Sequence, residues 1–465
     1  MAIKVKNIII LGILQLTISV APIFLDHDQA TLYSPYNYAI MQLFVFISLR
    51  LVDKSERNSF LFSPSFIAVS YLNINFLIGT IAFMNGMVIE HLLIPHAEWR
   101  HMNFTMTYFN LANFAILNIY HVSRPIRIKA HKIIADIRKN SWVTLIFFGS
   151  CMIALFSFWS VDLSFFSSAP SDFYIIPKSL GAILIFVVLF RTFSLKYRVF
   201  FYTVIIIVFS VSAFDDKREA IFLLLPILLL ESSRYYFSLN FQKIILIGVV
   251  CSVLTYLIIV MSILRGYGGY HPTSFLDATS YVDDYVKSDF FIPAFMNNIE
   301  VSYTFFHSNN SVEHILNDPN KLSYGSTIIK PLFILIPRSY FPKKPDSIIE
   351  LYTTSFSPTM RANGVSWPIS FQSEMFWNFH FSGILIGAIF FLFFNSVYLN
   401  IVRLINEDKI INYIPLLYIY QQSLVLFRGS GLDQFIIDVI LSFIIFAVAQ
   451  LILRPLVFRL RNETL

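Results

Sequence analysis

Charges in this chain come in short clusters, and the stretches between clusters stay apolar for about twenty residues at a time. A helix of that length and character matches the hydrocarbon thickness of a bilayer, and a soluble domain rarely contains several of them. Only 13% of the 465 residues are charged, about half the share usual for a soluble domain, and 56% are hydrophobic. The pattern predicts an all-α polytopic membrane protein. About twelve transmembrane helices are expected, near 8–25, 36–52, 64–88, 103–121, 142–160, 176–192, 199–213, 219–232, 243–263, 377–401, 411–427 and 435–453. The seventh and eighth are short, and Asp215 to Glu219 joins them tightly, so they also read as one helical hairpin that stops below the surface.

Basic residues orient the stack. With the N-terminus in the cytoplasm, inner loops and tails hold 21 Lys and Arg, outer short turns hold 5, and 8 fall in one long interruption. The opposite orientation places the basic run 123–140 outside, which the positive-inside rule disfavours. Both termini are therefore expected in the cytoplasm. Residues 1–263 form an N-terminal membrane block, 264–376 a large, partly helical external loop between the ninth and tenth spans, and 377–465 a C-terminal membrane block with its tail. Met1 to Leu25 lacks a small-residue cleavage site and reads as a retained first helix. Cys151 and Cys251 both lie in apolar runs, which gives no disulfide framework. The net charge of +6 is scattered between spans and marks no nucleic-acid surface.

The long interruption carries the chemistry. Pro331 to Pro345 reads PLFILIPRSYFPKKP, with four prolines, one arginine and two lysines against a short apolar run. Proline removes an amide donor and fixes its own backbone angle, so no continuous helix is expected there. Irregular, cationic backbone beside a membrane persists where protein or a water-filled cavity satisfies it, which suggests a site for an anion. Upstream, Val282 to Asn317 reads as one or two short helices. Phe291, Phe295, Ile299 and Tyr303 fall on one face, and Ser308-Asn309-Asn310 reads as a break. Gly266 to Tyr270 is a flexible turn without dinucleotide-loop spacing. The whole region is expected to fold back over the membrane as a lid.

Three constellations are candidates for function. Arg218, Arg265, Arg338, Arg361 and Arg428 all lie at outer span ends or in the long loop. A guanidinium fork matches phosphate oxygens with two parallel bonds, although interfacial arginines also serve as plain anchors. Glu374 lies at the mouth of the tenth span among aromatics, placed for a general base or, more plainly, a cap of that span. Asn378 follows it by four residues, so the two share a face if the helix begins before Glu374. Asp26-His27-Asp28 offers a D-x-D for a divalent ion, with a solvated turn the simpler account. The outer histidines show no zinc-ligand spacing.

Taken together, PLFILIPRSYFPKKP, PISFQSEMFWNF with Gly383 after it, and LFRGSGLDQF resemble the oligosaccharide repeat-unit polymerases of the Wzy type, which make O-antigen and capsular chains. The positions carrying the resemblance are Pro337, Arg338, Pro342, Lys344 and Pro345; Glu374 with Asn378 and Phe379; and Arg428. Lys217-Arg218 looks like a further family arginine but lacks the accompanying glycine. The resemblance implies a metal-independent glycosyltransferase without cofactor, acting on the outer face of a bacterial cytoplasmic membrane. Its donor and acceptor are polyprenyl-diphosphate-linked oligosaccharides, and a chain-length regulator is a possible partner. Together with the outward arginines it gives the expected site: Glu374 and Arg338 for catalysis, and Arg218, Lys344, Asn378 and Arg428, with Arg265 and Arg361 from the arginine set alone, for substrate binding. A glycan ligase, a metal-dependent lipid-linked glycosyltransferase with Asp26 and Asp28 as ligands, and a flippase or transporter are the rival readings.

Overall fold

A computed structural model describes the chain apart from residues 1, 54–55, 89–93, 126–148, 150–174, 213–216, 235–247, scattered positions between 249 and 268, 299–300, 334–335, 337–339, 408–413 and 463–465. Among the described residues every regular element is helical. The N-terminal block contains α1 (Ala2–Val20), α2 (His27–Leu51), α3 (Pro64–Met84), α4 (Met102–Val122), α5 (Ile175–Thr192), α6 (Leu195–Ser212) and α7 (Lys217–Arg234). Residues 264–376, named the outer region for the side on which the sequence places them, contain α8 (Val282–Lys287), α9 (Phe291–Asn298), α10 (Val301–Asn317), α11 (Ser326–Ile329) and α12 (Ile348–Phe356). The C-terminal part contains α13 (Phe371–Phe379), α14 (Gly383–Asn406), α15 (Ile414–Arg428) and α16 (Leu432–Asn462). The expected span 142–160 and most of 243–263 lie outside the described residues.

Two stretches, Pro64–Met84 and Phe371–Asn406, are long and apolar enough to cross a membrane. The second is not one straight rod. Phe371 packs against Phe390 and Phe391 with ring centroids 6.1 and 5.6 Å apart, and Gly387 lies against both Phe371 and Met375. In a straight helix, twenty residues would separate Phe371 from Phe391 by about 30 Å. The chain instead reverses at His380, whose φ is +53°, and α13 folds back antiparallel on the first turns of α14. Gly383 makes the reversal fit, since a Cβ there would lie 2.4 Å from the Met375 carbonyl oxygen. The expected span 377–401 is thus corrected to α14, beginning at Gly383. An unbroken apolar composition conceals the hairpin, because both of its arms are buried against the bundle.

Polarity is arranged inside out. Asn37 and Asn110 exchange amide hydrogen bonds of 3.0 and 3.1 Å between α2 and α4. Asn113 donates to Asn73 at 2.8 Å, and Gln372 donates to Asn113 at 3.4 Å, which links α3, α4 and α13. Outward faces are apolar: Leu385, Ile389 and Phe393 on α14, and Ile440, Phe443, Ile444 and Val448 on α16, are all exposed. Interhelical amides inside and aliphatic stripes outside are what a helix bundle in lipid requires, because lipid offers no drive to bury leucine and no partner for an amide.

The outer region lies on the bundle. α10 seats on α3 where Gly79 leaves room: a Cβ at Gly79 would be 2.3 Å from the Cβ of Phe305. α10 runs unbroken through Ser308-Asn309-Asn310, correcting the expected interruption. The two asparagines find partners within the packed helix and its neighbours instead of at an ended helix. Asn309 donates to the Phe305 carbonyl, and Asn310 donates to the Tyr352 hydroxyl and accepts from the Ala97 amide. Glu313, on the same helix, accepts from the amides of Arg100 and His101 and from the Thr105 hydroxyl, fixing the entry to α4. Among the described residues Val282 to Asn317 is helical over Val282–Lys287, Phe291–Asn298 and Val301–Asn317, and the junction at 299–300 lies outside them.

Candidate active site

Glu374 sits at the fourth position of α13, with its residue 1% exposed. The simple expectation that it caps its own helix fails, because Ser370 is that cap and accepts from the Ser373 amide. Its carboxylate reaches two other segments. Oε1 accepts from the Thr327 hydroxyl of α11 at 3.2 Å, and Oε2 accepts from the Leu432 amide at 2.8 Å. Leu432 is the first residue of α16, whose opening amides lack intrahelical partners and favour an anion. The carboxylate therefore joins α11 and the start of α16 while standing on α13. Asn378, one turn on, donates to the Thr327 hydroxyl at 2.8 Å and to the Glu374 carbonyl at 2.9 Å. The shared face expected from the spacing of Glu374 and Asn378 is present, and it belongs to α13.

A second set of charges stands beside the first. Lys330, just after α11, lies 3.0 Å from Asp433 and 3.5 Å from Glu350, with all three residues buried. Glu350 closes a capping box with Ser347 at the start of α12 and takes a 2.6 Å bond from Arg361. Arg361 also donates to the Ser366 hydroxyl at 3.0 Å. The cluster thus brings two cations, Lys330 and Arg361, to three carboxyl groups, Glu350, Asp433 and Glu374. Removing one partner from a buried ionic network leaves an uncompensated charge, so the arrangement holds α11, α12 and the start of α16 in one geometry.

The turn between α15 and α16 requires its glycines. Gly429 has φ +126°, and a Cβ there would lie 2.6 Å from the Ile369 carbonyl oxygen. Gly431 has φ +84°, and a Cβ there would lie 2.9 Å from Asp433 Oδ1. These two positions let the extended chain before α13 pass under the turn and let Asp433 Oδ1 pack against the turn backbone.

The structure gathers some of the expected residues and leaves others apart. Glu374 and Asn378 share the centre. Arg361 reaches it only through Glu350, so its fork is committed to a protein carboxylate and it acts as a strut. Lys344 is buried and donates to the Ile336 carbonyl of its own loop at 3.3 Å. Arg428 is half-buried at the end of α15, next to the Gly429 turn. Arg218 lies in the first turn of α7, while Arg265 and Arg338 lie outside the described residues. Asp26 caps α2 in a capping box with Gln29, which accounts for Asp26 without a metal. No group of three or more His, Cys, Asp or Glu suited to a metal ion occurs among the described residues.

Sequence reading missed Thr327, Lys330, Glu350 and Asp433. Lys330 looks like any other loop cation, and Glu350 like a helix start. Only Asp433 carried a hint, lying two residues after the second glycine of Arg428-Gly429-Ser430-Gly431. The chain matches no protein-family model, and comparison with the curated proteins and with the solved structures gives no match either.

Proposed function

We propose that this protein is a glycosyltransferase that joins polyprenyl-diphosphate-linked oligosaccharide repeat units on the outer face of a bacterial cytoplasmic membrane. The observation that carries the reading is the Glu374 carboxylate, buried on a folded-back helix, held by one donor from α11 and one from α16, and flanked by a paired lysine. A hydroxyl of one repeat unit gives its proton to Glu374. Its oxygen bonds to the anomeric carbon of the second unit, and the bond from that carbon to the lipid diphosphate breaks with its electron pair on the departing oxygen. A diphosphate leaves readily once its charge is neutralised, so one base and nearby cations are sufficient without a second carboxylic acid. Arg338, Arg428, Arg218 and Arg265 are the diphosphate ligands in this reading, with Arg338 acting on the leaving group. About twelve spans, both termini in the cytoplasm and an external 264–376 region complete it.

Deletion of the gene tests the reading through the surface polysaccharide. Single repeat units left on the carrier are the expected result. Long chains left on the carrier would mean a ligase, and loss of all external glycan would mean a flippase.

A further inference from the structure

Two oxygen acceptors beside Glu374 have no hydrogen-bond partner although both are buried: Oδ1 of Asn378 and Oδ1 of Asp433. Their residues are 1% and 2% exposed. They stand on opposite sides of the carboxylate. Asn378 is linked to Oε1 through the Thr327 hydroxyl, and Asp433 follows Leu432, whose amide holds Oε2. An unpaired buried acceptor destabilises a fold, more so when charged, so each such group calls for an explanation. Asp433 is the sharper case, because its Oδ2 is fixed by Lys330 at 3.0 Å while Oδ1 packs against the Gly431 backbone, 2.9 Å from where a Cβ would sit, without a hydrogen-bond donor.

We infer that Asn378 Oδ1 and Asp433 Oδ1 form a sugar-hydroxyl subsite that seats the acceptor repeat unit against Glu374. The inference rests on the glycosyltransferase reading above and names the part of the site that holds the acceptor. A sugar presents neighbouring hydroxyls, each a donor, and two unpaired buried acceptors beside a base match that pattern. The Thr327 hydroxyl, which donates to Glu374 Oε1, stands where the attacking hydroxyl must donate. Seating the acceptor therefore displaces Thr327. The segment carrying it enters through two successive left-handed residues, Tyr324 at φ +48° and Gly325 at φ +82°. Lys330 orients Asp433 and is a positioning residue; Asp433 and Asn378 are the binding residues.

The test uses the purified full chain in detergent and, as probe, the repeat-unit oligosaccharide released by mild acid from carrier that has built up in deletion cells. Binding is read by saturation-transfer NMR, alongside binding of the intact diphosphate-linked unit. Asp433→Asn should weaken oligosaccharide binding at least about tenfold, because a site built to accept a hydroxyl loses its charged acceptor. Binding of the intact unit through its diphosphate should fall much less. Glu374→Gln should keep oligosaccharide binding, which separates the subsite from the base. If Asp433→Asn does not fold, Asp433→Glu keeps a carboxylate for Lys330, displaces the second oxygen by one methylene, and should show the same selective loss. Unchanged oligosaccharide binding in the folded variant overturns the subsite and leaves the glycosyltransferase reading standing. Failure of the unaltered protein to bind either probe overturns both.

Discussion

Thr327, Lys330, Glu350 and Asp433 show how a site can be invisible in a sequence and plain in a fold. They come from three segments spread over about a hundred residues, and no local spacing relates them. Glu374 and Asn378 were legible because a four-residue step on a helix is a geometric statement in itself. At this scale the ionic cluster is open to direct test. Lys330→Met leaves Asp433 buried without its cation and should destabilise the protein by about 3–5 kcal/mol, read by unfolding in detergent. Lys330→Met combined with Asp433→Leu should recover much of that loss, because the uncompensated charge is gone. Additive effects in the double variant would mean that the two residues are not coupled. Two histidines make a further prediction. Burial lowers His307 to about 3 and His314 to about 4, so both stay neutral in the folded outer region. Their folded values lie below the unfolded one, so the stability they contribute is full above about pH 6.5 and declines as pH falls toward 3–4. Hydrogen exchange in 301–317 should speed up as pH drops from 6.5 to 4.5 after correction for intrinsic rates. A flat corrected profile would place the opening of α10 elsewhere.

Elements were legible where the pattern had a period and obscure where it did not. Helices α3, α4 and α14 follow from apolar runs of about twenty residues. The reversal between α13 and α14 does not, because Phe371 to Asn406 contains no proline and no charged break beyond Glu374 and Arg403. Ser308-Asn309-Asn310 misleads in the opposite direction, since the two asparagines, which signal a turn in water, donate hydrogen bonds here from inside a packed helix. The hairpin yields a prediction about glycine. Gly383→Val pushes a side chain into the Met375 backbone and should shift α13, with Glu374 on it. Polymerisation should fall at least about a hundredfold, since misplacement by an ångström is enough for such a loss. Gly12→Ala is the control, because nothing lies within 4 Å of a Cβ there. Equal activity of the two variants at equal expression would remove α13 placement from the account.

For the whole molecule, the all-helical class and two helices long and apolar enough to span a membrane were readable from composition and charge spacing, and the contacts that surround the site were not. They depend on α10 seating at Gly79 and on the Gly429 turn admitting the extended chain before α13, both contacts between distant parts of the chain. Topology is checked with single cysteines. Asn363→Cys, exposed in the outer region, should react with an impermeant reagent in intact cells, and Ala130→Cys should not. Reaction at Ala130 would invert the orientation and remove the site from the outer face. The central claim is that the Glu374 carboxylate takes the proton of the attacking hydroxyl. The direct measurement is single-turnover joining of two lipid-linked repeat units by purified protein, unaltered and with Glu374→Gln, alongside donor binding. Loss of about 10²–10⁴-fold in rate with donor binding retained is the expected result. A Glu374→Gln variant that joins units at the unaltered rate, with the same dependence on pH, would contradict it.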